Sequence, residues 1–343
     1  MDFFQSQGQY NRSIGPTGAD AMAKLVYIVG VGHSGSTLLD IVTGTIPRVF
    51  STGELGMLPL YVNARGTRCS CGARFRECPV WIRVVPELSR QVGFDVFENP
   101  SRFRMALLQT RRWAGAKKGF DHWWWALHKA AFGLVMQHQR LRPLETPWVR
   151  AMSERLVRNW QVIDTIGRLC DSEYVVDSSK EVYRLKLLHA QRPGEVYALL
   201  LVRDLCGVVN SWRRHGREPV KQAHRSVGQY NRILATARNM PGLHFAIVRY
   251  ERLCADPVGE RKRIAAFLGL PDPGAELVVD PSTQHLVAGN PMRLRGQMEI
   301  RLDESWKAQM EPDLQRTIRQ IEAHLDPGWR EPPDDTSGRP SAV

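Results

Sequence analysis

A glycine-rich stretch, KLVYIVGVGHSGSTLL at residues 24–39, has the composition of an anion-binding loop. An apolar, β-prone run leads to Gly30, Gly32 and Gly35, and helical spacing resumes at Ser36. Glycines let the backbone come close to a ligand, and the free N–H groups of a first helical turn favour an anion. The stretch therefore predicts a strand, a phosphate-binding turn and a helix N-terminus. The alternative is an ordinary glycine-rich turn of an α/β protein.

The loop departs from the nucleotide-triphosphate motif G-x-x-x-x-G-K-[ST] at one informative position. Gly30, Gly35 and Thr37 match the motif, but Ser36 occupies the place of the lysine. In P-loop enzymes that lysine binds the β- and γ-phosphates of ATP. We therefore expect a poor ATPase site that still binds a phosphate well.

Charged residues follow the other strand-like runs of the chain. Glu54 follows the β-prone residues 48–52, and Lys180 follows the turn that begins at Asp177. Arg203 ends the apolar run 196–202, which has the composition of a central buried strand. Because the carboxyl ends of parallel strands meet at one edge of a sheet, we expect these side chains to share one crevice.

An arginine and a serine are spaced to bind one tetrahedral anion. Ser211 comes two helical turns after Arg203, so both side chains can donate hydrogen bonds to the same phosphate. Arg249 is in an equivalent position to Arg203, after the strand-like residues 245–248. The chain thus combines an anion loop with a second anion site.

Strand-like and helical segments alternate along the chain, which predicts a three-layer α/β fold. We expect a P-loop-like, mostly parallel central sheet of about five strands flanked by helices, within a single domain at 23–325. Residues 1–22 and 326–343 are predicted to be a flexible and a disordered tail. A helical, aromatic-rich insertion at 57–144 is expected to cap the acceptor, although its tryptophans have the spacing of core residues as well.

The charge and hydropathy of the chain limit the classes of partner. A net charge of +12 favours anionic ligands. The basic residues are scattered and accompany no nucleic-acid-binding motif, so nucleic acid is not the expected partner. No apolar run is long enough to span a bilayer and the first residues lack a secretory pattern, so we expect a cytoplasmic protein that contacts membranes peripherally at most. The pattern does not fix the oligomeric state.

Three cysteines cluster in the segment CSCGARFREC, at Cys69, Cys71 and Cys78. They could hold zinc with a fourth ligand from elsewhere, but C-x-C-x6-C is unlike the C-x2-C pairs of zinc ribbons. The favoured interpretation is a compact loop with free or partly oxidised thiols. We therefore predict no metal.

Two of these motifs together resemble the sulfotransferases that use 3′-phosphoadenosine 5′-phosphosulfate (PAPS). VGVGHSGSTLL resembles that family's 5′-phosphosulfate loop, and LLLVRDLCGVVNSWRR resembles its 3′-phosphate-binding strand, turn and helix. The segment HLVAGNPMRLR, residues 285–295, is similar to the late basic loop that closes over the nucleotide. Bacterial members and the tyrosylprotein branch show the greatest similarity.

The resemblance implies which residues bind the nucleotide. Those of the first loop would hold the 5′-phosphosulfate: Gly32, His33, Ser34, Gly35, Ser36, Thr37 and Leu38. Arg203 and Ser211 would hold the 3′-phosphate. Further nucleotide contacts are implied in the later segments, at Arg249, Tyr250, Asn290, Arg293 and Arg295.

The resemblance also implies three catalytic residues. Glu54 matches the general base of the tyrosylprotein branch, and Lys180 matches a lysine that stabilises the transferring sulfuryl group. His33 occupies a position where relatives have lysine or arginine, so it could act as an acid or only as an anion ligand. Without the resemblance, Glu54 could simply serve a helix dipole, Lys180 could be a solvated lysine and Arg203 could pair with a nearby carboxylate.

The resulting hypothesis is a sulfotransferase with PAPS as donor, adenosine 3′,5′-bisphosphate (PAP) as product and no metal requirement. The acceptor would be a hydroxyl of a phenol, sugar, lipid, natural product or peptide. The alternatives are a P-loop-type kinase of a small metabolite and a non-catalytic protein that binds nucleotides or nucleic acid.

Overall fold

Five parallel strands form the centre of the fold. The structure is a computed structural model, and it describes residues 22–64, 66–105 and 147–329. The strands follow one another in spatial order β2-β3-β1-β4-β5, so that β1 lies in the middle. Their bounds are β1 (Lys24–Gly30), β2 (Val49–Ser51), β3 (Tyr174–Lys180), β4 (Val196–Val202) and β5 (His244–Arg249).

Helices connect the strands and cover both faces of the sheet. Their bounds are α1 (Ser36–Thr43), α2 (Leu58–Asn63), α3 (Trp81–Val92), α4 (Pro147–Leu169), α5 (Val182–Gln191), α6 (Leu205–Arg213), α7 (Pro219–Arg238), α8 (Tyr250–Ala255), α9 (Pro257–Phe267), α10 (Trp306–Gln309) and α11 (Pro312–Glu322). Short 3-10 turns occur at Leu55–Met57, Phe75–Glu77, Pro100–Arg102, Pro281–Thr283, Pro291–Leu294 and Pro327–Trp329.

The alternation of side chains along β1 separates two hydrophobic cores. Val26 and Ile28 pack in a core with residues of α1, α8 and α9. Leu25, Tyr27 and Val29 point to the opposite face and pack in a core with residues of α3, α4, α5 and α7. Because successive residues of a strand point to opposite faces, a strand that is apolar throughout must be covered on both. This arrangement is the predicted three-layer fold.

The order of the strands places every carboxyl end on one edge of the sheet. All neighbouring pairs are parallel, and the chain passes from β1 outward to β2 and back to β3, then crosses to β4 and β5. Open parallel sheets bind ligands at the carboxyl ends of the strands where the strand order reverses. Here that position lies beside the end of β1, where the glycine-rich loop begins.

The register between β1 and β3 shifts close to this edge. Tyr27 pairs with Asp177, but Val29 pairs with Lys180, so β3 contains one residue more than β1 in this interval. An extra residue of this kind bends a strand and re-aims a side chain. The irregularity ends at Lys180, one of the residues expected to be catalytic.

The prediction of a P-loop-like α/β fold with a five-stranded parallel sheet is confirmed. The prediction for β3 is too short, because its polar end 177–180 continues the strand instead of forming a turn after it. At the other end of the chain, Trp329 is fully buried, beyond the domain boundary expected at residue 325.

Several sequence-based expectations fall outside the described residues. They concern the N-terminal tail, most of the C-terminal tail and the aromatic part of the insertion. The described part of the insertion contains α2, α3 and the cysteine cluster. Among the helices of the described ranges, none is both long and apolar enough to cross a membrane.

Candidate active site

The glycine-rich loop forms a backbone cradle between β1 and α1. His33 and Gly35 both adopt left-handed backbone conformations, with φ values of 67° and 95°. No side chain caps α1, and in the described ranges the N–H groups of Gly35, Ser36 and Thr37 have no protein acceptor. Unpaired amides at a helix N-terminus, at the positive end of its dipole, are an anion-binding arrangement.

Aromatic rings enclose this cradle so closely that glycine is required at two positions. A Cβ atom on Gly35 would lie 2.4 Å from the ring of Tyr250, and one on Gly32 would lie 2.7 Å from the indole of Trp212. The two rings come from α8 and α6, which follow other strands of the sheet. The glycines therefore allow the loop to pack closely against the two aromatic rings, and they also allow its backbone conformation.

The hydroxyl groups of the cradle have different partners. Ser34 donates a hydrogen bond of 2.8 Å to the carbonyl of Val31, so its hydroxyl stabilises the turn itself. Thr37 accepts a hydrogen bond of 3.0 Å from the backbone N–H of Asn290. Ser36 is buried at the first position of α1, beside the free amides. The late loop around residue 290 thus contacts the cradle directly.

Arg203 lies against the other side of the cradle. Its guanidinium donates to the carbonyl of His33 at 3.2 Å and lies over the ring of Tyr250, 4.3 Å from the ring centroid. It also donates to the backbone carbonyl and the carboxylate of Asp303, at 3.0 Å each. With only 7% of its side chain exposed, Arg203 is held in place by these contacts. The arginine and the anion loop belong to one structural unit.

His33 connects the cradle to Ser211. Its Nδ1 atom lies 2.9 Å from the hydroxyl of Ser211, and its ring packs edge-on against Trp212. Burial, followed by the positive charges of His215 and Lys180, lowers the pKa of His33 to about 4. The imidazole is therefore neutral at neutral pH. Depending on its tautomer, its Nδ1 atom accepts a hydrogen bond from the hydroxyl of Ser211 or donates one to it.

Glu54 and Lys180 form an ion pair at the ends of β2 and β3. The Nζ atom of Lys180 lies 2.5 Å from Oε1 of Glu54, and both side chains remain partly exposed. Lys180 has a φ of 67°, which is unfavourable for a residue with a side chain and is typical of functional sites. Because Lys180 is also close enough to His33 to lower its pKa, the three predicted catalytic residues lie around one site.

A buried ion pair fixes the turn that carries Glu54. Asp177 is fully buried, pairs with Arg184 at 2.6 Å and accepts a hydrogen bond of 3.2 Å from the N–H of Leu55. The hydroxyl of Ser179 accepts a second hydrogen bond from this turn, from the N–H of Gly56 at 3.0 Å. Buried charges persist only when they are paired and hydrogen-bonded, and here they hold the turn on which Glu54 lies.

Two of the residues expected to bind nucleotide have other partners, and a third is exposed. Arg293 is buried and donates to the carbonyl of Arg68 at 2.9 Å and to the hydroxyl of Tyr61 at 2.9 Å. Arg249 donates to the carbonyl of Trp329 and borders a cleft of about 430 Å3. Arg295 is exposed. Their roles in binding stay predictions.

Sequence patterns did not indicate several residues of the site. Asp303, which pairs with Arg203, belongs to a segment without any motif. Trp212 directly follows the motif residue Ser211 in the sequence. This neighbouring position is the signal that could have indicated a place in the site. Asp177 and Arg184 are seven positions apart, on either side of the start of a helix. This spacing indicates an ion pair only when the end of β3 is assigned correctly.

Some solved structures match this chain at low similarity. The sulfotransferase domain from the Curacin biosynthetic pathway has a TM-score of 0.44 and 14% identity, covering 89% of this chain and 99% of that one. The sulfotransferase domain from the Synechococcus PCC 7002 olefin synthase has a TM-score of 0.43 and 16% identity, covering 91% and 98%. Likenesses of this size carry no argument about activity. No curated protein matches the sequence.

The family comparison is more informative because it covers both candidate anion sites. The model of the sulfotransferase family matches residues 26–274, well over half of the chain. This range contains the cradle, Glu54, Lys180, Arg203 and Ser211. Together with the fold and the geometry of the strand ends, this match shows that the chain belongs to the sulfotransferase family.

Proposed function

We propose that this protein transfers the sulfuryl group of PAPS to a hydroxyl group of an acceptor. The observation that carries the proposal is the position of the Glu54–Lys180 ion pair. It lies at the same edge of the sheet as an anion cradle and a separate Arg203–Ser211 site. A donor with phosphates at its 5′ and 3′ positions needs two such anion sites on one rigid support.

The residues of the cradle fit the 5′-phosphosulfate. The unpaired amides of Gly35, Ser36 and Thr37 can donate to its oxygens, and Ser36 and Thr37 add hydroxyl groups. No lysine is present at position 36 to bind a triphosphate chain. The cradle therefore suits a group with less charge than ATP.

Arg203 and Ser211 fit the 3′-phosphate in the same way. Arg203 provides a planar set of donors, and Ser211 provides a hydroxyl that already contacts His33. Arg203 now shares its donors with Asp303, so a phosphate would replace that carboxylate. His33 would join the two anion sites through its hydrogen bond to Ser211.

Glu54 and Lys180 supply the chemistry of the transfer. Glu54 takes the proton of the acceptor hydroxyl as the acceptor oxygen forms its bond to sulfur. At the same time the bond from sulfur to the phosphate oxygen breaks, and PAP is released. Lys180 supplies positive charge beside the oxygens of the transferring group. Sulfuryl transfer, like phosphoryl transfer, depends mainly on positioning and charge stabilisation. The acceptor class is a hydroxyl compound of phenol, sugar, lipid, natural-product or peptide type.

A thermal-shift titration with two nucleotides tests the donor. We expect PAP to raise the melting temperature without magnesium, since a ligand that binds only the folded state stabilises it. The Arg203→Met variant should lose most of this shift. Stabilisation by ATP with magnesium but not by PAP would contradict the proposal and favour a kinase.

A turnover assay then tests the transfer itself. The enzyme is incubated with PAPS carrying a labelled sulfuryl group and with a pooled set of hydroxyl acceptors, and the products are read by mass spectrometry. A sulfated product that depends on Glu54 is the expected result. PAP binding without transfer to any member of a broad acceptor pool would favour a non-catalytic nucleotide-binding protein instead.

A further inference from the structure

The cysteine cluster acquires a fourth metal-ligating side chain in the folded chain. His285, more than two hundred positions away in sequence, lies beside the three cysteines. Its Nδ1 atom is 3.2 Å from the Sγ atom of Cys78 and 3.8 Å from the Sγ atom of Cys69. We propose a structural zinc site with four protein ligands, which are Cys69, Cys71, Cys78 and His285.

The spacing of the four ligand atoms fits tetrahedral zinc. All of them lie within 4.8 Å of one another, and the sulfurs of Cys71 and Cys78 are 3.7 Å apart. Zinc–sulfur bonds of about 2.3 Å in a tetrahedron place two sulfurs about 3.8 Å apart. A disulfide would instead require a sulfur–sulfur distance of about 2.05 Å. The cluster therefore has the dimensions of a metal site.

Backbone donors and burial both act on the sulfurs of the cluster. Backbone N–H groups of Cys71, Ala73 and Trp81 donate hydrogen bonds to the three sulfurs. Donors that point at a sulfur stabilise its negative charge and orient it towards a metal, as is usual around metal ligands. Cys69 and Cys78 are fully buried, so a negative charge there needs a compensating cation.

The backbone holds the two halves of the site together. Ser70 donates from its hydroxyl to the carbonyl of Gln284 at 2.7 Å and accepts from the N–H of Leu286 at 2.9 Å. Its own N–H donates to the carbonyl of Leu286 at 3.2 Å. His285 therefore lies between two residues that are both bonded to the cysteine turn. This pairing explains how an irregular cysteine spacing is completed by a distant histidine.

The ligand set indicates the metal and its role. Three thiolates and one imidazole select zinc over magnesium or calcium, which prefer oxygen ligands. Four protein ligands leave no open position, as in structural rather than catalytic zinc sites. The site would fix the start of the segment 285–290. Further along this segment, the N–H of Val287 donates to the carbonyl of Thr52 at 2.8 Å, and the N–H of Asn290 donates to the hydroxyl of Thr37.

Metal analysis of the purified full chain tests the proposal. We expect close to one zinc per chain by inductively coupled plasma mass spectrometry, after dialysis against metal-free buffer. Cys71→Ser and His285→Gln, which replace the two partly exposed ligands, should each lose most of it. Cys170→Ser replaces a cysteine outside the cluster and should keep it. Far-UV circular dichroism identifies which variants are folded.

Cobalt substitution provides a readout that does not depend on activity. Cobalt added to metal-depleted wild-type protein should give the visible absorption and thiolate charge-transfer bands of a tetrahedral sulfur site. The spectrum should be weaker and shifted in Cys71→Ser, which has one thiolate fewer. A folded wild-type protein without zinc or cobalt binding would overturn the proposal, and so would an intact mass that shows a Cys71–Cys78 disulfide in the freshly isolated protein.

Hydrogen exchange tests the structural role separately. Loss of zinc should speed amide exchange at Val287 and Asn290, because the segment would lose its anchor at His285. A protein that binds zinc but shows unchanged exchange there after metal removal would contradict the structural role that we assign. PAP binding and turnover are not needed for either readout, so the zinc site and the proposed function can fail independently.

Discussion

Glu54 and Lys180 are held together in one ion pair at the ends of their strands. A carboxylate bonded to an ammonium group is fixed in orientation, and in the proposed reaction this ammonium would lie beside the charge that develops during transfer. The left-handed backbone at Lys180 and the extra residue in β3 give the lysine a direction that a regular strand would not. The backbone therefore gives the pair the orientation that its proposed catalytic role requires.

Replacing Glu54 by glutamine should remove the base without removing the donor site. General-base catalysis is typically worth about 10²–10⁴-fold, so we expect turnover to fall by that factor in Glu54→Gln. PAP should still stabilise the protein, because the cradle does not include this side chain. The measurements are steady-state turnover and the thermal shift, and an undiminished rate would falsify the assignment of the base.

The low pKa of His33 predicts a specific dependence of stability on pH. In the unfolded chain a histidine has a pKa near 6.5, whereas burial and the neighbouring positive charges lower it to about 4 in the fold. Between these values the unfolded state binds the proton more tightly than the folded state does. This histidine therefore lowers the free energy of unfolding progressively as the pH falls from 6.5 towards 4. Above pH 6.5 the cost is absent.

The His33→Gln variant should therefore lose less stability than the wild type between pH 7 and pH 5. The measurement is the urea unfolding free energy of both proteins at the two pH values. Buried Asp40, whose pKa burial raises to about 7, titrates in both proteins, so its contribution cancels in the difference. Equal losses in the two proteins would show that His33 is not held neutral by the fold.

We expect the carboxylate of Asp303 to compete with the 3′-phosphate for the guanidinium of Arg203. Burial acts against its charge, but hydrogen bonds from Ser305 and Arg203 prevail and lower the pKa of this carboxyl to about 2. A negative carboxylate on Arg203 should compete with a phosphate. Because partly exposed ion pairs are worth up to about 1 kcal/mol, Asp303→Asn should bind PAP up to about fivefold more tightly.

Isothermal titration calorimetry measures this change directly. Asp272→Asn, which removes a carboxylate from an exposed pair with Lys262, is a matched control and should leave the affinity unaltered. Weaker binding by Asp303→Asn would mean that the carboxylate holds Arg203 in its binding orientation instead of competing for it. The prediction rests on the proposed function.

The cradle is a loop packed against helices that follow other strands. Tyr250 of α8 packs on Gly35 and carries the guanidinium of Arg203 on its ring, so one side chain supports both anion sites. Trp212 of α6 plays the corresponding role at Gly32. A preorganised site of this kind loses little entropy when a ligand binds.

A pair of alanine substitutions separates the conformation of the loop from its packing. Gly35→Ala places a methyl group 2.4 Å from Tyr250 at a φ of 95°, while Gly93→Ala faces a similar backbone strain at a φ of 73° with no neighbour within 4 Å. A left-handed alanine costs about 1 kcal/mol. We expect Gly93→Ala to cost that amount of unfolding free energy, and Gly35→Ala to cost more and to weaken PAP binding. Equal costs would show that Tyr250 moves aside freely.

The elements themselves could largely be predicted, and the failures have physical causes. Apolar runs such as 196–202 identify strands because a central strand must be buried on both faces. The sequence pattern does not indicate the end of β3, because Asp177, Ser178 and Ser179 are polar. In the structure, two of these residues are bonded to the Glu54 turn, and the polar sequence reflects that function. A strand at an active site does not follow the rule for a strand in a core.

The site combines groups that are far apart in sequence. The sequence pattern indicates Glu54, Lys180 and Arg203 because each lies at or shortly after the end of a strand, and parallel strand ends meet at one edge. It could not indicate Asp303, His285 or the burial of Arg293, because these depend on the path of a late segment without regular structure. Local periodicity contains no information about such long-range contacts.

The excess of positive charge predicts a dependence of nucleotide affinity on salt. The chain has a net charge of +12, and His215, Lys180, Arg214 and Arg203 are all close enough to act on His33. Screening is strong beyond about 10 Å at 0.1 M salt and beyond about 3 Å at 1 M. We expect PAP affinity to fall several-fold across this range, measured by calorimetry. Adenosine, which lacks phosphates, is the control and should bind with little salt dependence.

The hydrogen bond between Asn290 and Thr37 joins residues 253 positions apart, and this separation matters for how the protein is made. At the usual rate of about 5–20 residues per second, a ribosome needs roughly ten seconds to a minute to synthesise that interval. During this time the glycine-rich loop exists without the segment that completes it. The nucleotide site that we propose is therefore complete only once nearly the whole domain has been synthesised.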